Sequence, residues 1–413
     1  MRPLLEESFR AAVAAADPLE ILAPHLPPAP KGRTFVAAAG KAAASMALAF
    51  EQHFNGPMEG VAITRYGHGL PTKKIRVIEA GHPVPDEAGE RAAREILDQT
   101  RTLREDDLLV ALLSGGGSSL LSLPAADIPI AELKAVTRDL LRSGAAIQEM
   151  NTVRKHLSAI HGGRLAAASK APVLALIISD VTGDDPTHIA SGPCAPDPTT
   201  YADAREILKR YGVTPPPGVK ARLERAGGET PKPGDPVFAK VQNKVVATAH
   251  RSLEAAAEVF RRQGITPVIL GDTITGEAAE VAKVFASLVA EIRKYGSPWK
   301  PPVALISGGE CTVTISGDGG RGGRCSEFLL SLGIETGGAW AIAADTDGID
   351  GSEDNAGALL TPDSLHRARG QGLSAKTLLA KHDSYGFFSA LGDLVVTGPT
   401  RTNVNDYRAI LLV

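Results

Sequence analysis

Residues Leu112–Pro124 read LLSGGGSSLLSLP: the end of an apolar strand, three glycines in a row, two serines, then apolar residues again. Glycine packs nothing and costs conformational entropy. Gly115, Gly116 and Gly117 therefore either allow positive φ or let something approach the main chain closely. A tight turn needs one or two of them. A phosphate cradle uses all three, because clustered N–H groups at a helix start attract an anion, and Ser118 and Ser119 add hydroxyls there.

The same strand-then-glycine pattern recurs along the chain. TFVAAAG (34–40), GVAIT (60–64), IRVIEAG (75–81), DLLVALLSGG (107–116) and APVLALIISD (171–180) are short and apolar, and several end in Gly or Asp. Helical stretches such as DEAGERAAREILDQT (86–100) lie between them. Near-continuous apolar strands covered by helices on both faces indicate a parallel α/β sheet, whose ligands sit beyond the carboxyl ends of the strands. At 413 residues the chain exceeds what one hydrophobic core usually serves. A Pro/Gly-rich, charged segment, GVTPPPGVKARLERAGGETPKPGDP (212–236), reads as a linker or surface excursion. The α/β rhythm resumes after it. The expected architecture is α/β: two Rossmann-like domains with an interdomain cleft, residues 1–235 and 236–413, the first helix being free to pack on the second domain.

Composition removes several function classes. The hydrophobic content of 43% is ordinary, and no apolar run reaches the roughly 20 residues a bilayer span requires. The opening stretch carries acids among its apolar residues and reads as an amphipathic helix rather than a signal peptide. Cys194, Cys311 and Cys325 are too scattered for a disulfide framework or a metal knuckle, which points to a reducing cytoplasm. A net charge of −3 and 4% aromatics offer neither a basic field nor stacking platforms for nucleic acid.

The candidate residues cluster at strand ends. Lys41 follows Gly40 at a helix start, where the dipole disfavours a cation unless an anion binds beside it. Asn151, Arg154 and Lys155 in NTVRKHLSAIHGGRLA fall within about one helical turn and suit an oxyanion. Asp180, Asp184 and Asp185 follow a buried strand, as do Asp345, Asp347 and Asp350, and strand-end carboxylates commonly hold Mg²⁺ in phosphoryl transfer. SGGECTVTISGDGGRGGRCSEF (307–328) carries Glu310, Gly317, Asp318 and Arg321 ahead of Arg324, an arginine placed to grip a phosphate. Thr397, Thr400, Thr402 and Asn403 form a loop suited to a polyhydroxylated substrate. Each feature also has a plain structural reading: a turn, a solvated basic face, an Asp-rich loop.

Taken together and in order, AAAGKAA, AGHPVPDEAG, SGGGSSLL, NTVRKHLSAIHGGRLA, SDVTGDDPTHIASGPCAPDPTT, SGGECTVTISGDGGRGGRCSEF, DTDGIDGSEDNAGA and GDLVVTGPTRTNVNDY resemble the class II glycerate kinases, the MOFRL family. The resemblance implies phosphorylation of D-glycerate to 2-phosphoglycerate with ATP and Mg²⁺, on two α/β domains of which the second is MOFRL-like. It puts Lys41 and Arg324 on the family's essential lysine and arginine. The nucleotide is then expected on Ser114, Gly115, Gly116, Gly117, Ser118 and Ser119. The substrate is expected on Asn151, Arg154, Lys155, Glu310, Thr400 and Asn403, and the metal on Asp180, Asp185 and Asp347. Partners are small molecules, with no nucleic acid or membrane, and a homodimer fits within this reading. One departure is GGRCSE (322–327) where the family commonly reads GGRNQE, so Cys325 and Ser326 cannot supply the same amide contacts. Two other readings stay open: a hydroxypyruvate reductase, which would need a nicotinamide site although no GxGxxG occurs, and a non-catalytic sugar-acid binding protein.

Overall fold

Strand β1 (Thr34–Ala39) is buried along its whole length and lies at the centre of a six-stranded sheet. With β2 (Met58–Arg65), β3 (Ile75–Ala80), β4 (Leu108–Leu113), β5 (Val173–Ile178) and β6 (Val241–Ala247) the order is β3-β2-β1-β4-β5-β6. The β1–β2, β1–β4, β2–β3 and β4–β5 pairs are parallel. This is the doubly wound order that reverses between β1 and β4, and the crevice beyond those two carboxyl ends is the topological switch point. The strands read as unbroken apolar runs because helices cover both faces. Ile96 and Leu97 of the helix Glu87–Arg101, for instance, join Ala37, Ile63 and Leu113 in one core. That helix starts where the Asp86 carboxylate accepts a hydrogen bond from Gly89 N at 3.0 Å.

The sheet belongs to one of two compact units, Pro18–Val246; the other comprises Met1–Asp17 and Ala247–Val413. This computed structural model describes residues 1–225, 227–315 and 319–413. Gly317 and Asp318 of the glycine-rich stretch lie outside the described residues. The division falls at 246/247 where the sequence suggested 235/236, and the N-terminal helix Arg2–Ala14 belongs with the C-terminal residues. Its Leu5, Phe9 and Ala12 pack on Phe260, Ile306 and Tyr407. Full burial of Leu5 and Phe9 contributes roughly 1.5–3 kcal/mol each. The Tyr407 hydroxyl donates to Ser8 Oγ at 2.8 Å.

Residues 217–225, inside the segment read as a linker or surface excursion, are a packed helix. The helix Pro217–Arg225 buries Val219 and Leu223 in a core with Leu133, Met150 and Tyr201. Proline in its first turn and two apolar residues at i, i+4 spacing account for it.

The second unit holds β7 (Thr266–Gly271), β8 (Gly276–Glu277), β9 (Val303–Ser307), β10 (Cys311–Thr312), β11 (Trp340–Asp345), β12 (Gly357–Leu360), β13 (Leu394–Val395) and β14 (Asp406–Leu412). Six of them form a sheet in the order β13-β12-β11-β14-β9-β7, while β8 and β10 pair separately. This sheet is mixed: β14 runs antiparallel to both β11 and β9, and only β7–β9 is parallel. An apolar run records that a strand is buried, not which way its neighbour points, so the direction of β14 was not legible. Both units are α/β, with apolar clusters on both faces of the second sheet.

Candidate functional site

The ends of β1 and β4 are sewn together by main-chain and hydroxyl bonds. Ser114 N donates to Ala39 O at 3.0 Å, Lys41 N to Gly115 O at 2.8 Å, and Ala42 N to Ser114 Oγ at 3.0 Å. Gly40, at φ +130°, is bare because a Cβ there would lie 2.1 Å from Ser114 Oγ. Gly116 adopts φ +79°, and a Cβ on it would meet His82 Nε2 at 2.9 Å and Lys41 Cγ at 3.3 Å. A Cβ on Gly117 would lie 2.5 Å from Ala190 Cβ. The bare sides of Gly116 and Gly117 are thus filled by protein, which is a packing reason for both glycines. What the loop leaves over is its donors. Among the described residues no acceptor meets the N–H of Gly115, Gly116 or Ser118. Unpaired N–H groups at a chain turn form an anion site, and the Lys41 stem lies alongside them.

A strained turn packs against this loop. Ala190 (φ 51°) and Ser191 (φ 57°) are buried non-glycine residues in the left-handed region, a conformation that costs about 1–2 kcal/mol each. Ser191 Oγ donates to Ser118 Oγ at 2.9 Å, and lies 3.1 Å from Asn151 Oδ1. Asn151 Nδ2 in turn donates to His188 O at 3.2 Å, and Arg154 Nη1 to Asn151 Oδ1 at 3.2 Å. The structure therefore brings together Ser118, Asn151 and Arg154.

Lys155 goes elsewhere. Adjacent helical residues do not share a face, and its ammonium is buried against Asp197 Oδ1 at 3.3 Å. Burial pushes the Lys155 pKa down against the pull of Asp197. Burial would raise Asp197, but Lys155 and the Thr199 hydrogen bonds outweigh it and hold the carboxyl below its ordinary value. His156 Nε2 faces Glu229 Oε2 at 3.2 Å in the same network. Lys155 is an internal counter-ion in this structure, which corrects its placement beside a ligand.

In the second unit Arg324 is surrounded by acids. Nε donates to Asp406 Oδ1 at 2.7 Å and Nη2 to Asp345 Oδ2 at 2.6 Å, while Nη1 lies 3.2 Å from Glu310 Oε1. Burial disfavours the charged guanidinium, yet Asp406, Asp345 and Glu310 together hold its pKa well above the usual value. Asp345 and Asp406 are buried, but the Glu310 side chain is 55% exposed, so it is the member free to exchange with solvent. The helix Arg324–Thr336 spends its second and third N–H groups internally. Asp350 accepts from Cys325 N at 2.9 Å, Ser326 N at 2.8 Å and Ser326 Oγ at 2.7 Å. Ser326 thus takes part in an internal cap, and Cys325 is fully buried.

The remaining expected residues also make local bonds. Asp185 accepts from Thr187 N at 2.9 Å and Asp347 from Ile349 N at 2.9 Å, both as Asx turns. Asp180 lies just beyond the carboxyl end of β5. Among the described residues no three His, Cys, Asp or Glu side chains converge as a metal cluster. Thr400 Oγ1 donates to Thr346 O at 2.5 Å, Thr402 Oγ1 to Ala16 O at 2.7 Å, and Asn403 Oδ1 accepts from Asn405 N at 3.2 Å. That hydroxyl-rich loop is tied to Thr346 and to Ala16 beyond the first helix.

Sequence reasoning missed His161, Ser191, Asp197 and Asp406. Only Asp406 carried a local signal, an acid directly before an apolar strand. His161, Ser191 and Asp197 meet neighbours distant in sequence. Among the described residues no helix is long and apolar enough to cross a membrane.

Comparison with known proteins places the chain in a family. A family model described as a domain of unknown function (DUF4147) matches residues 4–224, and the MOFRL family model matches residues 303–406. A glycerate 2-kinase of Pyrococcus horikoshii is 43% identical over 380 residues, 91% of this chain and 86% of its own. An Agrobacterium vitis protein provisionally named hydroxypyruvate reductase is 51% identical over 417 residues, 100% of this chain and 94% of its own. The crystal structure of a glycerate kinase from Thermotoga maritima matches with TM-score 0.87 at 36% identity, over 100% of this chain and 99% of that one. The chain belongs to the class II glycerate kinases, the MOFRL family.

Proposed function

We propose that the protein is a glycerate 2-kinase, transferring the γ-phosphoryl group of ATP to the C2 hydroxyl of D-glycerate to give 2-phosphoglycerate and ADP. The observation that carries this reading is the meeting of Lys41 with the unpaired N–H groups of Gly115, Gly116 and Ser118 at the switch point of the parallel sheet. In the reaction a bond forms between the C2 oxygen and the γ-phosphorus. The bond from that phosphorus to the ADP oxygen breaks, and the hydroxyl proton is released. Phosphoryl transfer asks the protein mainly for positioning and charge neutralisation. Ser114–Ser119 are assigned to the nucleotide phosphates, Lys41 to neutralising their charge, and Asn151 with Arg154 to the substrate. Arg324 is assigned as the family's essential arginine, oriented by Asp345 and Asp406.

Mg²⁺ suits this site as a passenger on the nucleotide. Such an ion keeps several waters and needs only one or two protein carboxylates beside the phosphates, and Asp180 and Asp185, at the carboxyl edge of the same sheet, are the residues that would supply them. Bound there, it neutralises phosphate charge. The free cysteines, all buried, fit a reducing cytoplasm.

The reductase reading has one point in its favour, the name of the Agrobacterium vitis relative. A dinucleotide fold lets its pyrophosphate approach the glycine turn after β1. Here Ser114 Oγ occupies that space beside Gly40. The deciding experiment incubates purified protein with ATP, Mg²⁺ and D-glycerate and reads the product by phosphorus NMR and by direct turnover with enolase. 2-Phosphoglycerate is expected, and excess EDTA should abolish it. No phosphoglycerate, together with NADH-dependent reduction of hydroxypyruvate, would overturn the kinase reading.

A further inference from the structure

Behind the glycine loop, within the Pro18–Val246 unit, lies a small polar cavity. Ser118, Ser119, Ser122, Ser158, Arg154 and His161 contribute its polar lining, and its free volume is about 10 Å³. That is the space of one water or one ligand oxygen. Two features of the lining are incomplete. Arg154 donates to Asn151 Oδ1, yet among the described residues no carboxylate pairs with it. His161 is 2% exposed and its Nε2 has no hydrogen-bond partner. A buried polar atom without a partner is costly and calls for one. Burial, reinforced by the positive charges of Arg154, Arg164 and Lys155, pushes the His161 pKa down to about 3. The imidazole is therefore neutral near pH 7, with one ring nitrogen carrying a proton and the other a lone pair.

We propose that this cavity is a socket for one carboxylate oxygen of the acid substrate, in which Arg154 supplies the counter-charge and His161 Nε2 the hydrogen bond that fixes the group. His161 is then a specificity-determining residue, and the assignment rests on the kinase reading above. Charge favours an anion over a hydroxyl, since a cation without a carboxylate stands at the wall. A neutral donor beside Arg154 binds the carboxylate without adding a second positive charge.

The test uses the full-length protein and the variants His161→Leu, His161→Met and His161→Gln, whose amide nitrogen reaches the Nε2 position. Losing a hydrogen bond to a charged group should raise the KM for D-glycerate about 10-fold or more in the Leu and Met variants. The KM for ATP and the kcat should stay within about 2-fold, and Gln should restore most of the loss. Melting temperatures of all variants identify any that fail to fold, and Leu and Met fill the site in different ways. Calorimetric titration with D-glycerate and other short hydroxy acids, without nucleotide, separates the socket from the chemistry. If the wild-type protein makes no phosphoglycerate yet binds a short hydroxy acid that His161→Leu loses, the kinase reading falls and the socket stands. An unchanged glycerate KM overturns the socket, as does a rise confined to the ATP KM or a wild-type protein that binds no hydroxy acid.

Discussion

Gly117→Ala probes the closest crossing in the candidate site. The added Cβ would sit 2.5 Å from Ala190 Cβ and 3.2 Å from Ala39 O, whereas carbons in contact rest roughly 3.5–4.0 Å apart. Gly117 opens a helical turn without positive φ, so the penalty is steric. Overpacking of this kind costs about 1–3 kcal/mol, equivalent to a fall in Tm of about 2–4 °C for each kcal/mol in a domain of this size. Ala190 provides the control. It is held at φ 51°, ψ 28°, so Ala190→Gly relieves about 1–2 kcal/mol of backbone strain. The greater freedom of glycine in the unfolded chain offsets about 0.4–1 kcal/mol of that gain. The same change removes the methyl that obstructs Gly117→Ala. In the Ala190→Gly background, Gly117→Ala should therefore cost less than about 0.5 kcal/mol, a coupling of about 0.5–3 kcal/mol. Urea midpoints at constant slope for the four proteins measure it. An equal penalty in both backgrounds would refute the claim that the strained turn dictates glycine at 117.

Lys41→Ala should lose at least ~10²-fold in kcat/KM, on the order of 3 kcal/mol, with little change in Tm; steady-state kinetics on the folded variant check this. Lys155→Met should behave in the opposite way, because it strands Asp197 without its buried cation. A loss of about 3–5 kcal/mol is expected in denaturation, and turnover of the fraction that remains folded should be near normal. Acid should destabilise the fold before its carboxylates titrate. His161 has a folded pKa of about 3, below its unfolded value, so below pH ~6.5 the unfolded state binds the proton first. Its contribution is complete above that pH and is lost as pH falls, at up to about 1.4 kcal/mol per pH unit. Denaturation midpoints between pH 8 and 5 should slope less steeply in His161→Gln, and an unchanged slope would show that the wild-type imidazole ionises in place.

The contrast between Arg154 and Lys155 shows where sequence reading reaches and where it stops. Both were cations within one helical turn of Asn151, and composition could not separate them. Helical geometry could: Arg154 stands at i+3 from Asn151 and bonds it, whereas Lys155, one step around, turns inward. That its counter-ion is Asp197, 42 residues away, was beyond local reading. The same limit applies to Arg324. Its position at a helix start was legible, but Glu310, Asp345 and Asp406 reach it from three separate segments. Glycine was the reverse case. GGG announced a site, yet the bare faces of Gly116 and Gly117 are taken up by His82 and Ala190. The run is a packing solution that frees donors as a by-product: chain crowded too tightly for side chains cannot bring acceptors to Gly115, Gly116 and Ser118. An anion reaching those N–H groups meets donors that need no rearrangement to receive it, which is the preorganisation phosphoryl transfer requires.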